Sequence, residues 1–381
     1  MIDNAAFYDA ALGAGLDFFT GVPDSLLKHF CAYVAERTPR PAHWIAANEG
    51  NAVALAAGHY LATGNPALVY LQNSGLGNAV NPLVSLADPD VYAIPMLLLI
   101  GWRGEPGVPD EPQHVKQGAI TPGLCEAAGI PHRILPTDTQ PAIECLQEMV
   151  RTALANHRPV ALIVRAGSFA AHPAAAPAPP PEALNREDVI AAIVAALPPR
   201  AVVVATTGHI SRELFEIRSR GSQGHERDFL TVGSMGHASQ IAMGIALARP
   251  DRPVICLDGD GAALMHMGSL AIAGTSGAGN LLHVVLNNGV HGSVGGQPTV
   301  GFSVDFPGMA LACGYRSAVR VESRGRLTEA LANLRPDGGP HFMEVRVAPG
   351  ARKDLGRPTT SPLANKTEFM NHLGGHESVG S

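Results

Sequence analysis

Strand-like apolar runs alternate with helix-like stretches along nearly the whole chain, and an Ala/Pro-rich run interrupts the alternation once, near the middle. The segments on its two sides share one layout, beginning at Ala52 and again at Ala238: small-residue helix, short turn, buried strand, Gly-rich loop, helix. Many βαβ units look alike, so the likeness alone leaves chance open. Joined to the alternation, it predicts an α/β protein of two related domains, each a mostly parallel sheet with helices on both faces. The expected limits are residues 1–169, a spacer at 170–184, a second domain at 185–350 and a tail at 351–381.

Composition narrows the class. The 381 residues are 46% hydrophobic and 16% charged. The charged share is below the roughly one quarter of an ordinary domain, so core and interfaces should be large. A net charge of −6 without a basic run argues against nucleic acid as a partner. Five scattered cysteines without a C-x-x-C pair read as reduced, mostly buried thiols. The first ten residues lack the basic start and apolar core of a signal peptide, so a cytoplasmic location is expected. The longest apolar run, residues 91–100, is short and broken by Pro95, which makes it a core strand and not a membrane span.

In order, helix is expected at residues 4–12, strand at 17–20 and helix at 24–35. Strands follow at 43–47, 67–71, 93–100 and 160–165, with helical stretches between them. Residues 170–181, AAHPAAAPAPPP, cannot pack a core and should form a semi-rigid extended spacer. Asn185 is a natural N-cap for the next helix, with Asp188 three residues on. Further strands are expected at 202–205, 229–232, 254–257, 281–286 and 342–345. The tail combines a basic run, ARKDLGRPTT, with a short helix-like KTEFMNHL and a polar, frayed end.

Chemistry concentrates in residues 254–296. The buried run 254–257 ends in Asp258-Gly259-Asp260-Gly261, where glycines let the backbone turn sharply and approach a ligand. A helix over 262–273 follows, then a second apolar strand and Asn287-Asn288. In an open parallel sheet ligands sit outside the carboxyl ends of the strands. A carboxylate on one such end and an amide oxygen on the next can share a hard cation such as Mg²⁺. Thr206-Thr207-Gly208-His209 ends one strand and opens a helix, a natural anion site of free backbone N–H groups. Gly233-Ser234-Met235-Gly236-His237 does the same after the next strand. Met235 reads equally as a core methionine. Glu49 stands at the start of the small-residue helix 50–62, where a carboxylate is also favoured simply by the helix macrodipole.

GDG ending one buried strand and NN ending the next, with Asp260 and Asn287 27 positions apart, resembles the thiamin-diphosphate enzyme fingerprint. The words GVPDS, NEGNAVALAAGHYLATG, LQNSGLGNA-NPL, IGWRGEPG, DEPQH, GSMGHASQIAMG and ARKDLGRPTT together resemble the phosphonopyruvate decarboxylase family over nearly the whole chain, with sulfopyruvate decarboxylases close by. The resemblance implies two thiamin-diphosphate-binding-fold domains, pyrimidine-type then diphosphate-type, without the third domain of larger pyruvate-type decarboxylases. It implies Glu49 as the acid that hydrogen-bonds the aminopyrimidine and promotes its imino tautomer, a task suited to a carboxyl group in apolar surroundings. It implies Met235 beneath the bent cofactor and the Gly233 carbonyl accepting from its 4′-amino group. The diphosphate is expected at Thr207, Gly208 and His209, shared with the backbone around Gly259, Gly261 and Ala262. Mg²⁺ is expected on the Asp260 carboxylate, the Asn288 side-chain oxygen and the Val290 carbonyl, with Asn287 as the alternative amide.

The reacting end falls to the first domain's loops. Asp24 and Ser25 are catalytic candidates that read equally as helix caps. Gln72, a substrate-binding candidate, ends another strand, while Arg103, His114 and Lys116 share a long loop over residues 101–117, with His114 also a catalytic candidate. Arg103, His114 and Lys116 are candidates for gripping an anionic substrate, although Arg103 and Lys116 read as well as solvated surface charges. His291 is a substrate-binding candidate and candidate proton donor, or equally a structural histidine. The resemblance implies a small anionic 2-oxo acid as substrate, 3-phosphonopyruvate first, losing CO₂ to give phosphonoacetaldehyde. Sulfopyruvate, an acetolactate-synthase-like carboligation and cofactor binding without turnover are the rivals. It also implies a homodimer or larger assembly in which Glu49 of one subunit meets the diphosphate domain of another.

Overall fold

A computed structural model of the chain describes residues 1–173, 183–333 and 337–374. Most of the expected spacer, residues 174–182, and the expected frayed end, residues 375–381, lie outside the described residues. The chain divides into two compact units whose boundary falls within 174–182, with Ser293–Gln297 grouped with the first.

The first unit carries β1 (Phe18–Gly21), β2 (His43–Ile45), β3 (Ala67–Gln72), β4 (Met96–Gly101), β5 (His132–Ile134) and β6 (Pro159–Val164). They form one all-parallel sheet in the order β2-β1-β3-β4-β6-β5. The second carries β7 (Val202–Ala205), β8 (Asp228–Leu230), β9 (Val254–Gly259), β10 (Leu281–Asn287), β11 (Ser317–Val321) and β12 (His341–Arg346). It too is all-parallel, and from its far edge it reads β8-β7-β9-β10-β12-β11. That is the first sheet's permutation repeated, so the shared layout in the sequence reflects a shared topology.

Each sheet is buried on both faces. Leu97 and Leu99 of β4 point into one core while Leu98 and Ile100 point into another. In β7, Val203 and Ala205 face one side and Val202 and Val204 the other. Strands buried on both sides read as unbroken apolar runs, which is why the central ones are legible in sequence. The two strands absent from the expectation, β5 and β11, lie at sheet edges. Their residues are largely half-buried or exposed, so neither makes an apolar run.

Three further elements differ from expectation. The helix expected from residue 24 begins at Lys28 and runs to Arg37. Asp24 and Ser25 therefore stand in the preceding turn and do not cap that helix. The helix expected over 262–273 is two short ones, Asp260–Met265 and Ser269–Gly274, broken at His266–Gly268, where His266 leaves helical geometry at φ −131°, ψ 51°. The expected long loop over 101–117 ends at Glu111, since Pro112 opens the helix Pro112–Ala127 with its fixed φ at the first helical position. Asn185 does cap Arg186–Ala196, accepting from the Asp188 N–H at 3.1 Å. The tail helix, Pro362–Gly374, is not peripheral: Phe369 is buried in the second unit's core. Asn365 accepts from Leu230 N–H at 3.1 Å and donates to the Asp228 carbonyl at 2.8 Å, closing the open edge of β8.

In both sheets the chain leaves the second strand of the order (β1, β7) to one side first and returns on the other. The loops diverge there, leaving a crevice at the carboxyl ends of the strands. Four adjacent strand ends in each sheet carry the residues that matter.

Candidate active site

At the first sheet's edge, Glu49 opens the helix Glu49–Thr63, and Asn48 caps it by accepting from the Asn51 N–H. The Glu49 side chain is buried, 5% exposed, and accepts from Asn78 Nδ2 at 2.8 Å. Among the described residues no basic side chain pairs with it. Gly75 makes the site possible, because a Cβ there would stand 2.2 Å from Glu49 Oε1.

The neighbouring β1 loop places Asp24 fully out of solvent. One carboxylate oxygen accepts from Leu26 N–H at 3.1 Å and the other has no hydrogen-bond partner. Burial pushes this carboxyl up to about 6, against the pull of backbone N–H groups and of Arg103. Ser25 Oγ accepts from Arg103 Nη1 at 3.1 Å. The rest of the Arg103 fork is committed to Asp110, through Nε at 2.8 Å and Nη2 at 2.5 Å. Asp110 also accepts from Gly104 N–H at 2.8 Å and from Glu111 N–H at 2.7 Å, so one carboxylate clasps the loop after β4. Asn73 ties the same loop down, with Nδ2 donating to the Arg103 carbonyl at 2.8 Å and to Thr121 Oγ1 at 2.9 Å. His114 is buried on the helix Pro112–Ala127, and burial followed by Arg103's charge lowers its pKa. Lys116, two residues on, faces solvent, as the helical period requires of neighbours at that spacing. It is not brought to Arg103's side. Gln72 is half-buried and donates to Ser74 Oγ at 2.7 Å.

At the second sheet's edge, Asp260 begins the short helix after β9 and is 2% exposed. Its donors are neutral: Asn288 N–H at 3.4 Å and the Thr299 hydroxyl. Burial pushes its carboxyl up to about 6, the hydrogen bonds opposing. A buried carboxylate without a cationic partner fits a site that takes up a cation. The neighbouring donors are oxygens: Asn288 Oδ1, which also accepts from Val290 N–H at 3.1 Å, and the Val290 carbonyl. An all-oxygen set suits Mg²⁺. Asn287 differs from Asn288. It is fully buried, and its amide donates to Glu344 Oε1 at 2.7 Å and to the Gly301 carbonyl at 2.8 Å. Its oxygen accepts from Gly289 N–H at 3.2 Å.

Beside this pair, the helix His209–Arg220 starts at Gly208 with no side chain capping its first N–H groups, the arrangement an anion takes. Thr207 Oγ1 accepts from Gly233 N–H at 3.2 Å, joining this turn to the loop after β8. Ser234 in that loop holds φ at 46°, a conformation that side-chain-bearing residues adopt at a cost and that clusters at ligand sites. Met235 Cε would lie 3.5 Å, and the His291 ring 3.1 Å, from a Cβ on Gly261, so Met235, His291 and the GDG turn meet. Gly236 packs on the Ala262 carbonyl, and Gly259 ends β9 beside Ile210. Burial lowers His291 to about 4, and burial with Arg186 and Arg212 lowers His209 to about 4. Both rings are neutral at neutral pH.

Four partners escaped the sequence reading: Asn78, Asn73, Asp110 and Thr299. Asn78 and Asp110 lie inside or beside conspicuous words, GNA and DEPQH, but nothing local says which acceptor or donor they meet. Thr299 follows Asp260 by 39 positions and reaches it only through the fold.

A family model described as "Thiamine pyrophosphate enzyme, N-terminal TPP binding domain" matches residues 4–122, and its C-terminal counterpart matches residues 206–345. A phosphonopyruvate decarboxylase of Streptomyces hygroscopicus is 38% identical over 379 residues, 95% of this chain and 92% of that protein. One of Streptomyces viridochromogenes is 38% identical over 97% of this chain and 94% of its own. A sulfopyruvate decarboxylase of Methanosarcina acetivorans is 31% identical over 92% and 93%. The chain belongs to the thiamine pyrophosphate enzymes, in the family of the phosphonopyruvate and sulfopyruvate decarboxylases.

Proposed function

We propose that the chain decarboxylates 3-phosphonopyruvate to phosphonoacetaldehyde and CO₂, with thiamin diphosphate and Mg²⁺. The observation that carries the reading is the buried, uncompensated Asp260 beside an oxygen-only donor set and an uncapped helix start, in a chain 38% identical over 95% of its length to a phosphonopyruvate decarboxylase. Bound thiamin diphosphate supplies a nucleophilic carbon and the electron sink for the pair left when CO₂ departs. The chain's residues do the rest. Asp260, Asn288 and the Val290 carbonyl hold Mg²⁺, whereas Asn287, with both amide hydrogens spent inside the protein, does not. Thr207, Gly208, His209 and the backbone around Gly259, Gly261 and Ala262 hold the diphosphate. Gly233 and Met235 would line the cofactor's pocket. Glu49, buried among neutral neighbours, exchanges a proton with the pyrimidine ring. Asp24 can hold a proton near neutral pH and is the candidate to deliver it to the carbon that CO₂ leaves.

Substrate recognition rests on fewer groups than expected. Arg103 is already paired through two of its nitrogens, so it offers a partly compensated charge, with Ser25 and neutral His114 and Gln72 nearby as hydrogen-bonding groups. Lys116 has no such support. His291 is held neutral and packs on Gly261, so it is a hydrogen-bonding wall and not a cation.

We further propose that the enzyme is a homodimer or larger, with Glu49 of one copy serving Asp260 of another. We place it in the cytoplasm, in keeping with five unpaired cysteines. Among the described residues no helix is long and apolar enough to cross a membrane. The test is CO₂ release from 3-phosphonopyruvate with and without thiamin diphosphate and Mg²⁺, with sulfopyruvate in parallel. Faster turnover of the sulfonate would replace the proposed substrate. Mixing inactive Glu49→Gln and Asp260→Asn proteins should restore activity neither has alone, and no recovery after subunit exchange would refute the shared site.

A further inference from the structure

Behind the Asn287-Asn288 turn lies a buried ionic chain that the decarboxylation does not use. Glu344 of β12 is fully buried, and its two carboxylate oxygens are divided between partners. One accepts from Asn287 Nδ2 at 2.7 Å and also lies 3.5 Å from Arg346 Nε, and the other accepts from Arg320 Nε at 2.6 Å. Arg320 sits on the edge strand β11, is 31% exposed, and reaches Asp305 at 2.8 Å with its other arm. A lone carboxylate at this depth is costly, and the two arginines, Arg320 the nearer, offset that cost. The result is a fixed anion whose shortest contact, on the oxygen that faces Arg346, is the Asn287 amide.

That amide is a junction. With Nδ2 held by Glu344 and by the Gly301 carbonyl, Asn287 Oδ1 is turned toward Gly289 N–H at 3.2 Å, at the bend that carries Asn288 and Val290. Gly301 is held equally close to the metal side: a Cβ there would stand 2.6 Å from both Asn287 Oδ1 and Asp260 Oδ2. The Asn287 backbone carbonyl also accepts from Val347 N–H at 2.9 Å, tying the junction to the end of β12.

We propose that Glu344 is a positioning residue for the metal site, acting through Asn287 to fix the 287–290 turn and the 299–301 segment against Asp260. This rests on the reading that Asp260 and Asn288 hold Mg²⁺. Groups behind metal ligands typically change metal affinity by about 10–100-fold when removed. Glu344→Ala should weaken Mg²⁺ binding by roughly that factor, measured by calorimetry on the whole protein with thiamin diphosphate present. Mn²⁺ followed by electron paramagnetic resonance gives a second, activity-free readout. Asn287→Ala should cost about as much, and the double variant no more than either, because the two act in one chain. Glu344→Gln keeps an acceptor oxygen for Asn287 and should recover most of the affinity. At saturating Mg²⁺ the turnover of each should stay close to that of the parent.

If Glu344→Ala is too unstable to purify, Arg320→Met with Glu344→Met removes the buried charge together with its nearer arginine, leaving Arg346 paired with Glu322, and should show the same loss of affinity. A lowered melting temperature with unchanged Mg²⁺ and Mn²⁺ affinity would reduce Glu344 to a structural role and overturn the proposal. So would losses that multiply in the double variant. Asp260→Asn is the control: if it abolishes Mg²⁺ binding while Glu344→Ala leaves the affinity unchanged, only the positioning role falls. If Asp260→Asn binds Mg²⁺ normally, the metal site itself is misassigned and the positioning role falls with it.

Discussion

The two sheets repeat one strand order, yet their carboxyl edges offer opposite kinds of chemistry. The first presents side chains: buried Glu49 with one amide partner, fully buried Asp24, and Arg103 clasped by Asp110. The second presents mainly backbone and neutral oxygen: the uncapped start of His209–Arg220, the Val290 carbonyl, Asn288 and a single carboxylate. On the proposed reading neither set suffices alone for chemistry on a diphosphate-bearing cofactor, since the first is proposed to move protons and the second to hold phosphate and metal. A duplicated scaffold has thus been divided by its loops, with the strands unchanged. The lesson is that topology chooses where the ligand sits, while the few residues after each strand choose what it meets.

Breaking the first edge should have the largest effect. Glu49→Gln keeps an acceptor for Asn78 and should melt like the parent. CO₂ release should nonetheless fall by about 10²–10⁴-fold, the usual worth of a positioned proton-transfer group. Breaking the second edge comes next: Asp260→Asn should weaken Mg²⁺ binding by about 100-fold or more while the metal-free protein folds normally, read by calorimetry and thermal unfolding.

Asp24 sharpens the contrast through pH. Its carboxyl is raised from 3.8 to about 6 by burial, so its contribution to stability is full below pH 4 and is lost as pH rises through 6. Asp24→Asn should therefore be more stable than the parent at pH 8 by about 3 kcal/mol and equal to it below pH 4. Denaturant unfolding at both pH values checks this, and catalysis should meanwhile suffer. Asn365→Ala leaves Leu230 N–H and the Asp228 carbonyl unpaired and should cost about 2 kcal/mol without moving KM. Lys116→Ala should be the smallest, with KM for the oxo acid changed less than about twofold, as for a solvated charge.

Sequence and structure part company where side chains meet across the fold. The central strands were legible because both faces are buried and their residues run apolar without interruption. The GDG and NN turns were legible because glycine and short polar residues at strand ends have few other uses. Glu49 could be picked out only beside those turns. Edge strands β5 and β11 carry no such run, and Asp24 looked like a cap because Asp before a helix usually is one. The pairing of Arg103 with Asp110, seven positions on, was invisible because local spacing does not say which way a loop folds back. That Asn287 and not Asn288 faces inward followed from Glu344, 57 positions away, which no pattern near the turn reveals.

The tail helix has a practical corollary. With Asn365 removed along with everything from Pro362 onward, β8 would expose its N–H and C=O groups to any passing chain, an invitation to intermolecular pairing. Variants lacking Pro362–Gly374 should therefore precipitate at concentrations the parent tolerates. Light scattering of the variant beside the parent would show it.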